Sequence, residues 1–109
     1  MTHPINKASL QPARRLLLER LQQINFGRLE GLVVRDRQPV LDPPPTIIRE
    51  VKFGGDNGPR PELHVDDFAL KSQVVELFAV LDELRDGVID LLEVKHGLPF
   101  RMLVREAAA

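Results

Sequence analysis

Residues 26–40, FGRLEGLVVRDRQPV, and residues 86–100, DGVIDLLEVKHGLPF, carry one pattern of glycine, apolar run and proline, and they align at a spacing of 60 positions without a gap. Gly27 falls on Gly87, Leu32 on Leu92, Val34 on Val94 and Pro39 on Pro99. Upstream, Leu17, Leu18, Leu21 and Ile24 fall on Leu77, Phe78, Leu81 and Leu84. Only six of the 27 pairs between 14–40 and 74–100 are identical, so the echo lies in the placement of turn formers and core residues. A chain of 109 residues holds one modest core, and two copies of one local pattern have to bury their apolar faces in it together. The expectation is a single domain over 1–109 with an internal repeat at 14–40 and 74–100, joined by a linker with an extra strand at 41–66.

Each unit opens with a helix. Leu17, Leu18, Leu21 and Ile24 recur at i, i+1, i+4 and i+7, one stripe of an α-helix, which leaves Arg14, Glu19, Arg20 and Gln23 largely to solvent. Ser9 is the expected N-cap of the first helix, with Pro12 in its opening turn, and Asp66 or Asp67 that of the second. Gly27 and Gly87 follow the last apolar helix position, where a left-handed residue ends a helix at little cost to glycine.

After each glycine comes a strand-like run, RLEGLVV and then VIDLLEV, followed by a short break and a second apolar run from Pro39 or Pro99. His96-Gly97 is a strong tight-hairpin signal; Asp36-Arg37 is a weaker one, because arginine resists positive φ. Phe100, Met102 and Val104 form the expected buried face of the last strand. In the first unit DPPP interrupts the equivalent strand, and TIIREVKF at 46–53 supplies another before the loop GGDNGPRPE. The fold class read from this order is α+β: a duplicated helix-hairpin (αββ) unit, with an antiparallel sheet of about five strands, two helices on one face and a pseudo-twofold relation between halves.

The segments LLERLQQINFG and LVVRDRQPV, within residues 15–41, resemble the small bacterial YezD-like proteins, which run helix, FG junction, then hairpin with an acidic turn. This chain differs in Arg37 after Asp36, in the triple proline and in its whole second half. The resemblance implies a helix and hairpin; it brings no activity.

Chemistry is sparsely supplied. With no cysteine there are no disulfides, thiolate metal sites or thiol nucleophiles, which suits a reducing cytoplasm. MTHPINKASLQP lacks the basic flank and apolar run of a signal peptide, and no apolar stretch approaches the roughly 20 residues of a membrane span, so a cytoplasmic protein with no membrane contact is expected. His64, Asp66 and Asp67 are metal-ligand types, but an Asp pair before a helix is first a cap. FGGDNGPRP lacks the Lys-Ser/Thr of a phosphate loop and reads as a surface turn. No enzyme, cofactor or metal is expected.

Binding remains. Residues 1–60 hold ten Lys/Arg against six Asp/Glu, whereas residues 61–109 hold five against ten. Both alternating sets of RLEGLVV and VIDLLEV contain apolar groups, which demands cover on both sides or a bulge that reassigns the faces. The leading expectation is therefore a protein partner or a homo-oligomer, with nucleic acid as the alternative through Arg28, Arg35, Arg37, Arg49, Lys52, Lys95, Arg101 and Arg105. Arg35, Arg37, Lys95 and His96, at the two hairpin turns, are the binding-site candidates, expected to be presented together.

Overall fold

The computed structural model describes residues 6–55, 57–65 and 70–106. A 3₁₀ turn at Lys7–Ser9 leads into α1 (Pro12–Ile24), and then come β1 (Gly27–Arg35), β2 (Gln38–Val40) and β3 (Thr46–Arg49). A second 3₁₀ turn, Pro61–His64, precedes α2 (Ser72–Leu84), β4 (Gly87–Lys95) and β5 (Leu98–Arg105). Helices and hairpins thus start at equal spacings: 12 and 72, 27 and 87, 38 and 98.

The five strands form one antiparallel sheet in the order β2-β1-β4-β5, with β3 beside β1 at the end β2 does not reach. The central pair runs from Gly27 opposite Val94 to Val34 opposite Gly87, a register that maps onto itself when the two strands are exchanged. DPPP is the reason the first unit's edge is split: β2 pairs with Val33–Arg35, the prolines leave the sheet, and β3 returns to pair with Gly27–Glu30.

Both helices pack on one face. Leu17, Leu18, Leu21 and Ile24 of α1 meet Val74, Leu77, Phe78 and Leu81 of α2 over Leu29, Leu32, Val34, Ile89, Leu92 and Val94, all at most 5% exposed. Leu84, expected with them, is only partly buried. The inward strand residues skip from 29 to 32 and from 89 to 92. Each central strand breaks its alternation at the same place, at Gly31 (φ 73) and where β4 shifts register against β5 between Ile89 and Leu91. That irregularity reassigns the faces, so every fully buried strand residue points at the helices and Val33, Val88 and Leu91 turn half-buried to the open face.

Three local expectations are corrected. Ser9 caps no helix: it closes the 3₁₀ turn, its Oγ donating to Asn6 O at 2.8 Å, and α1 takes Gln11 as N-cap with Pro12 at its start. The N-cap of α2 is Lys71, with no side-chain cap bond; Asp66 and Asp67, expected in that role, lie outside the described residues. The left-handed helix ends fall two residues before the glycines, on Asn25 (φ 62) and Arg85 (φ 61). Gly27 instead serves a close approach, since a Cβ there would collide with the Ile48 carbonyl oxygen of β3.

Both hairpin turns have positive φ at their two central residues, Asp36 (51) and Arg37 (66), and His96 (55) and Gly97 (70), the primed geometry that matches strand twist. Arginine holds the position it resists because the turn is tied from outside. Arg37 N–H donates to Arg85 O at 2.8 Å, Asp36 N–H to Asp86 Oδ1 at 3.0 Å, and Arg14 Nη2 to Arg37 O at 2.9 Å.

Candidate interaction surface

Because β1 and β4 are antiparallel, their hairpin turns lie at opposite ends of the sheet. Arg35 and Arg37 stand at one end and Lys95 and His96 at the other, about nine residues or roughly 30 Å of strand away. The expectation that the turns present these residues together is therefore corrected: strands that run antiparallel carry their hairpin turns to opposite ends. Two further contacts engage the second pair, the His96 ring packing edge-on against Phe26 at 4.7 Å and Lys95 Nζ lying 3.9 Å from the centroid of Phe100.

Three of the basic strand residues are matched in charge. On the open face Arg28 pairs with Glu30 at 3.2 Å, Arg101 with Glu93 at 2.6 Å and Arg105 with Asp90 at 3.0 Å. Such exposed pairs add little stability, but they cancel the field that would gather phosphates. A hollow of about 430 Å³ on this side has Arg28, Arg49, Lys95 and Arg101 at its walls together with Glu50 and Glu93, so it too is of mixed sign.

The two edges of the sheet differ sharply. One is made of a three-residue β2 containing Pro39 and a four-residue β3, separated by DPPP. Short strands and prolines are the means by which sheets block pairing with other chains. The other edge is β5, eight residues or about 27 Å long, with β4 on one side and no strand of the described residues on the other. Its only proline is Pro99, near its start.

Exposed apolar groups mark this open edge. Phe100 was expected inside, but β5 shifts register between Glu93 and Val94, placing Arg101 opposite Glu93 and Pro99 opposite Val94. Phe100 has no opposite residue and swings out to 59% exposure, while Pro99 takes the buried place. Leu103, opposite Leu91, is 51% exposed on the other face. Between α2 and β5 runs a hollow of about 190 Å³ walled by Leu77, Val80, Leu92, Pro99, Phe100 and Met102, with Gln73, Glu76 and Arg101 at its rim. Its walls are apolar and its rim polar, the character of a pocket that takes an apolar side chain.

The glycine-rich loop is held by its own asparagine: Lys52 N–H donates to Asn57 Oδ1 at 2.8 Å and Asn57 Nδ2 to Lys52 O at 2.9 Å. Asn25 Nδ2 to Gly58 O at 3.1 Å and Arg60 N–H to Gln22 O at 2.9 Å fasten it to the end of α1. The His64, Asp66 and Asp67 group falls partly outside the described residues. Among the described residues no three His, Asp or Glu side chains gather to hold a metal, and no helix is long and apolar enough to cross a membrane.

Three polar residues important to the structure escaped sequence reasoning. Gln22 lies on the buried side of α1 at 5% exposure, Lys7 is buried at 1%, and Arg14, expected in solvent, crosses to Asp82 and lies over the Phe78 ring. For Arg14 the alignment at a spacing of 60 positions held a signal, because the aligned residue is Val74, a core side chain. No family model, curated protein or solved structure matches the chain.

Proposed function

We propose that this chain is a non-enzymatic protein-interaction module that takes an extended segment of a partner polypeptide along β5. The observation that carries this reading is the contrast between edges: one is broken by prolines, and the other is long, has no strand of the described residues beside it and is flanked by exposed Phe100 and Leu103. An added strand gains main-chain hydrogen bonds from β5 and specificity from the side chain it sets into the α2–β5 hollow. A second copy of the chain is one source of such a strand, which would make the protein a homodimer. The absence of cysteine suits the reducing cytoplasm in which we place it. Nucleic-acid binding has weaker support, because three of the arginines that would follow phosphates are paired with carboxylates.

Selection of binding peptides from a random display library on the immobilised full chain tests the proposal, followed by amide hydrogen exchange on the complexes. Binders with alternating apolar residues should protect β5 amides and lose at least tenfold in affinity against a Phe100→Lys, Leu103→Lys double variant. Peptides that bind the double variant equally well, or protect another region, would reject it. Sedimentation over a concentration series shows whether the chain itself is the partner, and retention from lysate that collapses with nuclease would favour the nucleic-acid reading.

A further inference from the structure

Just beyond β3 the chain carries an aromatic side chain that touches none of its own core. Phe53 is 100% exposed, and Val51, two positions before it, is 51% exposed. The backbone beneath them is anchored. Phe53 is the second residue of a tight turn, 52–55, closed by Gly55 N–H donating to Lys52 O at 3.1 Å, with Gly54 third at φ 82. The Asn57 side chain clasps both backbone groups of Lys52, Lys52 Nζ lies 5.3 Å from the centroid of the Phe26 ring, and Glu50 N–H donates to Phe26 O at 2.8 Å. An aromatic ring held out on a fastened turn has the form of an interface anchor, because little backbone ordering is left to lose when it is buried.

The hollow between α2 and β5 is its counterpart. At about 190 Å³ it falls short of the roughly 300 Å³ at which small-molecule sites begin, and it suits a single side chain. Leu77, Val80 and Pro99 give it apolar walls, and Met102 adds an adaptable thioether whose sulfur favours an aromatic neighbour. The surroundings of ring and hollow are opposite in charge. Gln73, Glu76 and Val80 line the hollow from α2 at helical spacing, and Glu83 continues that stripe one turn further, so two exposed carboxylates run beside it. The nearby cations are already engaged, Arg101 with Glu93 and Lys95 on the Phe100 ring. Phe53 is flanked by exposed Arg49 and Lys52, and Glu50 between them leaves the turn with an excess of positive charge.

We propose that the α2–β5 hollow takes Phe53 of a second copy of the chain, with Arg49 and Lys52 of that copy facing Glu76 and Glu83. The proposal rests on the reading of the β5 edge as the seat of a partner polypeptide, and it names the partner. Apolar fit supplies the contact, and the charges select its orientation. Phe53 follows β3 at one side of the sheet and the hollow lies beside β5 at the other, with β1 and β4 between them. Each contact therefore leaves one ring and one hollow unfilled, and copies associate head to tail instead of closing as a symmetric pair.

Sedimentation of the full chain and two variants over a concentration series tests this. The parent's mass should rise with concentration past that of a dimer. Phe53→Asp removes the ring, and Phe100→Lys takes away one wall of the hollow and sets a cation against Arg49 and Lys52; both positions are exposed, so both variants keep the fold. Each alone should self-associate at least about tenfold more weakly, as on loss of a central aromatic anchor. Mixed in equal amounts they should form a dimer and nothing larger, since one retains the hollow and the other the ring. Glu76→Lys should weaken the parent's association about twofold to fivefold, the worth of an exposed ion pair. A parent chain that stays monomeric up to millimolar concentration, a Phe53→Asp chain that associates like the parent, or a mixture that stays monomeric overturns the inference. If peptides selected on β5 still bind in that event, the edge takes a different protein; if they fail too, the reading of the edge falls with it.

Discussion

The backbone N–H of Arg37 donates to the carbonyl oxygen of Arg85 at 2.8 Å, and 60 residues from each, Gly97 N–H donates to Asn25 O at 2.9 Å. The β1–β2 turn is thus tied to the end of α2, and the β4–β5 turn to the end of α1. Both acceptors are the left-handed residues that end α1 and α2, and each helix end continues alike: Phe26 N–H to Ile24 O and Asp86 N–H to Leu84 O, both at 2.7 Å. With the central register from Gly27–Val94 to Val34–Gly87, these crossed ties make each half the other's support.

Arg37 is the position where this arrangement strains its sequence. An exposed arginine at φ 66 costs about 1–2 kcal/mol relative to a residue free to adopt that conformation. Glycine recovers only part of this because the unfolded chain also gains freedom. Arg37→Gly should raise stability by about 0.5–1 kcal/mol, read as a higher urea midpoint at unchanged slope. Gly97→Arg, the reverse change at φ 70, should lower it, since its Cβ also crowds the Arg60 side chain and Gln22 Cα. A neutral or lower midpoint for Arg37→Gly would show that the turn does not hold the arginine in strain.

Gly27 and Gly87 correspond in sequence and should differ in tolerance. A Cβ on Gly27 meets backbone, the Ile48 carbonyl oxygen and Arg49 Cα, whereas on Gly87 its nearest neighbour is the Leu84 side chain at 2.9 Å. Backbone in a paired strand cannot step aside as a leucine rotamer can. Gly27→Ala should cost roughly 1–3 kcal/mol and lose amide protection across β3 first, while Gly87→Ala should cost less than half as much. Equal losses in thermal unfolding would refute the idea that β3 sets the requirement at 27.

Leu81 is fully enclosed and Leu84 only partly, although the helical stripe contains both. Leu81→Ala should cost roughly 2–5 kcal/mol and Leu84→Ala distinctly less. Denaturant midpoints of the two variants check this directly; a midpoint for Leu81→Ala close to the parent's would contradict the packing of α2.

Periodicity and punctuation made most of the fold legible. The stripes of α1 and α2, the His96-Gly97 turn and the break at DPPP are local properties, and each stands where its residues indicate. What stayed hidden is non-local. Whether β1 and β4 pair parallel or antiparallel decides if the two turns meet, and no local pattern carries that choice. Phe100 alternates correctly with Met102 and Val104 in sequence, yet the register shift at Glu93–Val94 turns it outward. The burial of Lys7 has no local signal either, because polarity is an average preference, overruled here by the carbonyls of Leu63 and Val65 within its reach.

Lys7 shows how much one such contact should matter. Its side chain is 2% exposed; Nζ donates to Val65 O at 2.8 Å and Leu63 O at 3.3 Å and lies 3.5 Å from Glu19 Oε1. It joins the first 3₁₀ turn to the second, 56 and 58 positions along the chain, and to α1. Methionine keeps the apolar stem but takes away the ammonium, leaving those carbonyls without this donor. Lys7→Met should cost about 1–3 kcal/mol, with the loss of amide protection centred on Lys7–Ser9 and Pro61–His64 while the β1–β4 pair keeps its own. Lys7→Arg should not restore stability, since a planar guanidinium does not fit where a compact ammonium is enclosed. Unchanged protection at Pro61–His64 in the methionine variant would mean that burial of the stem, and not its charge, holds the two turns together.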